Sequence, residues 1–226
     1  MHYCLFDIDG TLMNTGGAGQ AAMEATFAEV FGITAPIKEK IPMAGRTDRA
    51  ITGDIFRYYE IDLSESNLAR FIAGYFERLP RHLQQLDGLL LPGVRELLQQ
   101  LTTQKNVILG LLTGNYLGGA TIKLEHFEID HHFGFGGFGD NHFERDDVAS
   151  EALAEIHQRY PNENVQPHNV WVIGDTPADV QCGRAIGANV IAVGTGFCER
   201  EDLIASSPDH FFEDFSVIEE FLKLMN

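Results

Sequence analysis

The chain begins with the stretch Tyr3-Cys4-Leu5-Phe6-Asp7-Ile8-Asp9-Gly10-Thr11, in which a short apolar run ends in two carboxylates, a glycine and a hydroxyl. Such a run, bounded by a turn signal, predicts a strand buried on both faces. Asp7 and Asp9 are two positions apart, so in extended backbone their side chains project to the same side. Like charges repel each other, and burial disfavours the charged form of each carboxyl group. A bound cation such as Mg²⁺ would offset both effects, so the pair indicates a metal site. The alternative is a solvated turn, since turns use the same residue types.

Three later apolar runs predict further strands of the same kind, at residues 107–112, 170–173 and 190–193, and a short one is predicted at 210–212. Segments with helical periodicity lie between them. Alternating helices and apolar strands predict an α/β fold, a Rossmann-like doubly wound parallel sheet covered on both faces. The last helix is predicted to open with a capping box of Ser216 and Glu219. In such sheets ligands bind beyond the carboxyl ends of the strands.

Polar residues follow the second predicted strand, at Thr113-Gly114-Asn115. Their hydroxyl, amide and backbone N–H groups would suit a phosphoryl group. The alternative is a plain strand-to-helix turn that Asn115 caps. Each polar strand end is a weak signal alone, but their coincidence at one edge of a sheet is a strong one.

A second acidic segment, Gly174-Asp175-Thr176-Pro177-Ala178-Asp179, follows the third predicted strand. Its local pattern predicts a helix start, with Thr176 as N-cap, Pro177 as the first helical residue and Asp179 as the acid of a capping box. That interpretation leaves Asp175 at the strand end without a role. We therefore expect Asp175 to belong to the same site as the carboxylates of the first strand.

Residues 20 to about 86 carry helical periodicity and no convincing strand. The preceding Asn14-Thr15-Gly16-Gly17-Ala18-Gly19 is interpreted as a hinge rather than a phosphate cradle, because no Lys-Ser/Thr follows the glycines. Arg46 lies beside Gly45 at a predicted helix start, where it would meet an anion. An ordinary exposed arginine is an equally good interpretation.

The net charge, the lengths of the apolar runs and the cysteine content limit which partners and which cellular location we expect. The 226 residues carry 33 acids and 16 bases, a formal charge of −17, which argues against nucleic acid and anionic membrane as partners. No apolar run approaches the roughly 20 residues of a membrane span, and no secretory signal is recognised at the N-terminus. The three cysteines form no Cys-x-x-Cys pair. We therefore expect a reduced, cytoplasmic setting.

Taken in order, the motifs Asp7-x-Asp9-Gly10-Thr11, Thr113-Gly114-Asn115 and Gly174-Asp175-Thr176-x-x-Asp179 resemble those of the haloacid dehalogenase-like hydrolases. The first motif is highly specific, and the set extends over the whole chain. The helical insert resembles the small cap of phosphoglycolate-phosphatase-like members. The resemblance implies a catalytic core of residues 1–16 and 87–226, with a helical cap of residues 17–86 inserted in it.

The resemblance also implies the chemistry of the first motif. Asp7 would be a nucleophile that forms a phosphoaspartyl intermediate, and a ligand of Mg²⁺. Asp9 would be the acid–base residue, which protonates the leaving oxygen and then activates water, while its backbone carbonyl would bind the metal. The implied substrate is a small phosphate monoester, such as a phosphoglycolate-like compound or a sugar phosphate.

The other motifs receive their roles in the same way. Thr113, Gly114 and Asn115 would hold the phosphoryl oxygens. Asp175 would complete the metal site, and Asp179 would be a metal ligand or would orient one. Arg46 would contribute a specificity contact from the cap.

The family also has a Lys or Arg between its second and last motifs. Arg145 is the preferred candidate, because it follows the glycine-rich stretch 135–139, interpreted as a loop, and precedes a predicted helix. Arginine can bind phosphate in a bidentate manner. Lys123, inside the predicted helix after Thr113, is the other candidate.

Several functions compatible with this fold stay open, because a fold does not fix a function. A true dehalogenase is disfavoured, because it needs an aspartate nucleophile but no second aspartate, and Asp9 is present. A sugar phosphomutase is an alternative, as is a phosphonate hydrolase, for which Lys38 and Lys40 are candidate amine nucleophiles. A non-catalytic phosphate-binding protein is the alternative from another class. The oligomeric state is left open.

Overall fold

The structure is a computed structural model of the chain and describes residues 1–35, 37 and 41–225. Its main sheet has the strand order β5-β4-β1-β6-β7-β8, and every neighbouring pair is parallel. A separate antiparallel ribbon pairs β2 with β3. The strands are β1 (His2–Phe6), β2 (Met13–Asn14), β3 (Leu89–Leu90), β4 (Val107–Leu112), β5 (Gly136–Gly137), β6 (Val170–Gly174), β7 (Asn189–Val193) and β8 (His210–Phe212).

The helices alternate with the strands of the main sheet, apart from three that follow β2. They are α1 (Ala18–Phe31), α2 (Asp48–Tyr58), α3 (Glu65–Gln85), α4 (Val94–Thr103), α5 (Leu117–His126), α6 (Arg145–Arg159), α7 (Pro177–Ala185), α8 (Arg200–Ala205) and α9 (Ile218–Leu224). Across the described ranges, none of these helices has both the length and the apolar character that crossing a membrane requires.

Both faces of the sheet are covered, as its apolar strands require. Cys4 and Phe6 of β1 point into one core, which α4, α5 and α9 complete. Tyr3 and Leu5, on the alternate positions, point into a second core completed by α6 and α7. All four side chains are at most 1% exposed. The predicted doubly wound α/β sheet is therefore confirmed.

The helices α1, α2 and α3, which we call the insert helices, have an apolar core of their own. Aromatic rings meet at its centre, with the Phe27 ring 4.7 Å from that of Phe71 and 5.9 Å from that of Phe56, centroid to centroid. The chain enters and leaves this unit beside the ribbon of β2 and β3. We propose that the insert helices form the cap expected over residues 17–86.

Two local predictions were wrong. The glycine-rich stretch predicted as a loop contains β5, in which Gly136 pairs with Leu111 and Gly137 with Leu112. The predicted capping box of the last helix is also absent, because α9 starts at Ile218 and its N-cap residue makes no side-chain hydrogen bond.

Candidate active site

The polar strand ends meet at one edge of the sheet. Asp7 follows the central strand β1, and its N–H donates to the carbonyl of Ile173 on β6 at 2.9 Å. The N–H of Thr113, after β4, donates to the carbonyl of Gly137 at 3.1 Å. Since these hydrogen bonds continue the parallel ladder, the backbone itself holds the start of each motif in register.

Three buried carboxylates form the centre of the site. Asp7, Asp175 and Asp179 each place a carboxylate oxygen within 4.8 Å of the other two, and they are 8%, 3% and 1% exposed. Burial, opposed by Arg145 and reinforced by Asp179, raises the pKa of Asp7 to about 6. Burial and the neighbouring Asp179 and Asp7 raise the pKa of Asp175 well above its usual value. The cluster is therefore electrostatically costly without a cation.

Neighbouring groups hold two of these acids in fixed positions. Thr11 donates its hydroxyl to Asp175 at 3.0 Å, and Gly10, with a φ of +85°, packs so closely on this carboxylate that a Cβ would overlap it. Asp179 accepts from the N–H of Thr176 at 3.0 Å and from its hydroxyl at 2.7 Å. The capping box predicted at the start of α7 is thus present. Of the two carboxylate oxygens of Asp179 it uses only Oδ2, so Oδ1 can make other contacts.

Arg145 is the cation of this cluster. It is the first residue of α6, not part of the loop before it, and is 7% exposed. Its guanidinium pairs with Asp179 through Nη2, and its Nη1 lies 3.5 Å from Asp7 Oδ1. Burial opposes its charge, but Asp179 and Asp7 outweigh that effect and raise the pKa of Arg145.

The donor set fits Mg²⁺. When all three carboxylates are ionised, Arg145 leaves two of their negative charges uncompensated. Mg²⁺ prefers carboxylate oxygens and retains positions for water and phosphate. Among the residues that the structure describes, Asp7, Asp175 and Asp179 are the ones that would hold it, and the carboxylate of Asp9 is not in this group.

Asp9 lies in a second cluster, with Lys123. Nζ of Lys123 donates to Asp9 Oδ2 at 2.6 Å and to Asn115 Oδ1 at 2.6 Å. The amide of Asn115 donates to Asp9 Oδ2 at 2.9 Å and to the hydroxyl of Thr113 at 2.8 Å. Asn115 does not cap α5, whose N-cap residue is Tyr116. Both candidate basic residues therefore lie at the site. Arg145 pairs with Asp7 and Asp179, and Lys123 pairs with Asp9.

The sequence position of Lys123 already indicates that this lysine is buried. On α5 the buried positions are Gly119, Ala120, Lys123 and Leu124, so the lysine lies on the apolar stripe of its helix. A lysine at such a position needs a partner in the interior.

A cavity of about 530 Å³ opens above these two clusters. Its opposite wall includes Met23, Ile51 and Tyr75 of the insert helices. Arg46 also lines it, but its guanidinium is paired with Asp54 at 2.7 Å and donates to the Pro42 carbonyl at 3.2 Å. Arg46 precedes α2, whose N-cap is Thr47.

One buried acid at this interface was missed. Asp48, the first residue of α2, accepts from the N–H of Tyr116 at 2.9 Å, and its own N–H donates to the carbonyl of Gly114 at 2.7 Å. Gly114 touches the backbone of Arg46 so closely that a Cβ has no room. From sequence, Thr47-Asp48 indicates only a helix start.

A doubly wound parallel sheet with an acidic site at its carboxyl edge defines a Rossmann-like α/β protein. Residues 4–193 match the family described as haloacid dehalogenase-like hydrolase. A phosphoglycolate phosphatase from Synechococcus elongatus is 30% identical over 213 residues, covering 94% of this chain and 93% of the relative. One from Nitrosospira multiformis is 26% identical, covering 88% and 86%.

Solved structures show the same fold. CbbY from Rhodobacter sphaeroides, in complex with phosphate, superposes with a TM-score of 0.74 at 19% identity, covering 96% of each chain. A haloacid dehalogenase-like family hydrolase from Streptococcus pneumoniae gives 0.65 at 23% identity, covering 98% of each. The chain belongs to the haloacid dehalogenase-like hydrolases, and the prediction of a phosphatase-type enzyme of this family is confirmed.

Proposed function

We propose that this enzyme hydrolyses a small phosphate monoester in a Mg²⁺-dependent reaction through a phosphoaspartyl intermediate on Asp7. The observation that carries the proposal is the position of Asp7. It directly follows the central strand β1, lines the cavity, and belongs to the only group of buried carboxylates suited to a metal among the described residues. Phosphoglycolate, on which the named relatives act by their descriptions, is the first substrate to test, followed by sugar phosphates.

In the first step a carboxylate oxygen of Asp7 attacks phosphorus, and Asp9 gives its proton to the leaving oxygen. In the second, Asp9 removes a proton from water, which attacks the phosphoaspartyl group and releases phosphate and free Asp7. Both acids line the same cavity, which supports this division of roles.

Other side chains would bind and orient the phosphoryl group. Thr113, Asn115 and the N–H groups around Gly114 are the neutral donors, and Arg145 offsets the charge beside Asp7. Bound Mg²⁺, held by Asp7, Asp175, Asp179 and the backbone carbonyl of Asp9, would offset the negative charge on the transferring group.

The alternatives have less support. The lysines considered for phosphonate hydrolysis, Lys38 and Lys40, lie outside the described residues. A mutase would need a second phosphate site. Within the described ranges, Arg46 is the cation that lines the cavity on the side of the insert helices, and it is already paired with Asp54. A cytoplasmic location stays a prediction, as does the absence of nucleic-acid and membrane partners.

The test is phosphate release from a panel of small esters, phosphoglycolate and sugar phosphates included, with Mg²⁺ and with chelator. We expect metal-dependent release from at least one ester, and loss of that release in Asp7→Asn. Asp62→Asn, at an exposed acid away from the site, is the matched control and should behave as wild type. If folded wild-type protein releases no phosphate from any ester with Mg²⁺ present, the proposal fails.

A further inference from the structure

Lys123 is a buried cation that the proposed reaction does not use. Its side chain is 5% exposed, and its ammonium group makes two hydrogen bonds of 2.6 Å, to Asp9 and to Asn115. A Cβ added to Gly19 of α1 would lie 3.6 Å from this ammonium nitrogen and 3.6 Å from the hydroxyl oxygen of Tyr75 on α3. The amine is therefore enclosed between the sheet edge and the insert helices.

The contacts of Lys123 fix one oxygen of Asp9. Oδ2 accepts from the ammonium group at 2.6 Å and from the amide of Asn115 at 2.9 Å. The same amide nitrogen also donates to Thr113, so these side chains form a closed network on one side of the carboxylate. The Asp9 side chain is nevertheless 42% exposed and lines the cavity. Its other oxygen, Oδ1, accepts no hydrogen bond from the part of the chain that the structure describes and is available to a substrate in the cavity.

Stability alone does not require this arrangement. The ammonium group of Lys123 is buried, so its pair with Asp9 loses part of its Coulombic gain to desolvation, and apolar residues of similar volume often serve a fold as well as a buried charge. The neighbouring buried residues of α5, Ala120 and Leu124, are apolar and pack into the core below the sheet. Lys123→Met removes the ammonium group and its two hydrogen bonds while keeping an unbranched side chain of similar length.

We propose that Lys123 is a positioning residue for Asp9. By anchoring Oδ2 it holds the carboxylate in the orientation in which Oδ1 delivers a proton to the leaving oxygen. This inference rests on the acid–base role proposed for Asp9. Without the ammonium group, Asp9 keeps only the amide of Asn115 and gains rotational freedom, so the leaving group is protonated less efficiently.

The test compares two leaving groups. Lys123→Met should lower kcat/KM by about 10²-fold for the best alkyl phosphate of the panel, whose leaving oxygen needs a proton, the size expected for impaired general acid catalysis. For p-nitrophenyl phosphate, whose leaving group departs as an anion, kcat/KM should change little. Lys123→Arg should recover part of the alkyl phosphate activity, and the inhibition constant of inorganic phosphate should stay at the wild-type value.

Three controls make the result decisive. Lys105→Met changes an exposed lysine and should behave as wild type. In an Asp9→Asn background, Lys123→Met should add no further loss, because the two residues act as one unit. Circular dichroism and thermal unfolding verify that each variant is folded, and Lys123→Arg provides the test if Lys123→Met is not.

An equal loss of kcat/KM with both substrates, together with a raised inhibition constant for phosphate, would mean that Lys123 binds the phosphoryl group. That result would overturn the positioning role, as would unchanged kinetics in Lys123→Met. Failure of the phosphatase proposal is seen separately, since it appears as a wild-type enzyme with no Asp7-dependent turnover.

Discussion

Asp48 is an acid buried where the insert helices meet the sheet edge. It is 8% exposed, and burial raises its pKa to about 6 from a usual value of 3.8, against an opposing effect of Lys123 and of the Tyr116 N–H. Its carboxylate accepts that N–H at 2.9 Å. An asparagine at this position would still accept the hydrogen bond but would carry no charge to desolvate.

This raised pKa makes a prediction about stability. The folded protein retains a proton on Asp48 that the unfolded chain releases at lower pH, so Asp48 costs stability as the pH rises from about 4 to about 6. Relative to Asp48→Asn, the wild type should therefore lose on the order of 2 to 3 kcal/mol of unfolding free energy over this range, at about 1.4 kcal/mol per pKa unit.

Urea unfolding of both proteins without metal, at about pH 4 and about pH 7, measures the effect, because other acids cancel in the difference. A difference between the two proteins that is the same at both pH values would contradict the assignment.

Individual site residues were predictable where a strand end marked them. Asp7, Thr113 and Asp175 each follow an apolar run, and parallel strands bring such positions together. The partners of these residues were harder to predict. Arg145 reaches Asp7 and Asp179 from the first turn of α6, and Lys123 reaches Asp9 from the middle of α5. Which acid each base meets depends on how those helices pack, and the sequence pattern does not contain that information.

The start of α2 joins the insert helices to the sheet edge. Thr47 caps this helix by accepting from the N–H of Ala50 at 3.1 Å, and it donates its hydroxyl to the carbonyl of His142 at 2.8 Å. Arg49, two residues further along, lies 5.5 Å above the ring of Phe143. A single hydroxyl thus serves both the helix and its contact with the core.

Thr47→Ala should remove both hydrogen bonds and cost about 0.5 to 2 kcal/mol of stability, the usual range for a lost N-cap. Because the same contact positions the wall of the cavity near the insert helices, KM for the best ester should rise as well. Thr47→Ser retains the hydroxyl and is the matched control. Urea unfolding and steady-state kinetics measure the two effects, and a serine variant as damaged as the alanine variant would show that the hydroxyl is not responsible.

The periodicity of apolar residues predicted the long strands and helices. It failed for elements whose position depends on backbone hydrogen bonds. Strand β5 consists of two glycines, so no side-chain pattern marks it, and it pairs with β4 through its backbone. At α9, the carboxylate of Asp214 accepts from the N–H of Ser216 at 2.7 Å, and the helix starts two residues later. Helix α3 continues past Pro80 to Gln85, although a proline removes one backbone donor from the helix interior.

The charge of the whole protein sets the background for metal binding. The formal charge of −17 favours any cation, so weak binding of Mg²⁺ at exposed acids is expected along with binding at the site. The buried cluster differs from those acids because burial raises the pKa of Asp7 and Asp175. We therefore expect protons to compete with Mg²⁺ for these carboxylates at mildly acidic pH.

Mg²⁺ should accordingly raise the thermal unfolding midpoint more at pH 8 than at pH 5, since a ligand stabilises the state that binds it. Asp175→Asn should abolish most of the increase at pH 8, whereas Asp62→Asn should retain it. Thermal unfolding with Mg²⁺ and with an equal ionic strength of NaCl separates specific binding from screening. An increase that persists in Asp175→Asn would assign the stabilisation to surface acids instead.

The central claim is that Asp7 carries the phosphoryl group during the reaction. Its most direct test is to quench the enzyme during turnover with the best ester of the panel, reduce the acyl phosphate with borohydride, and map the labelled residue by peptide mass spectrometry. We predict that Asp7 is converted to homoserine, in a substrate-dependent manner, in the wild type and in the Asp62→Asn control. Turnover without any modification of Asp7, or with the modification at another residue, would contradict the mechanism.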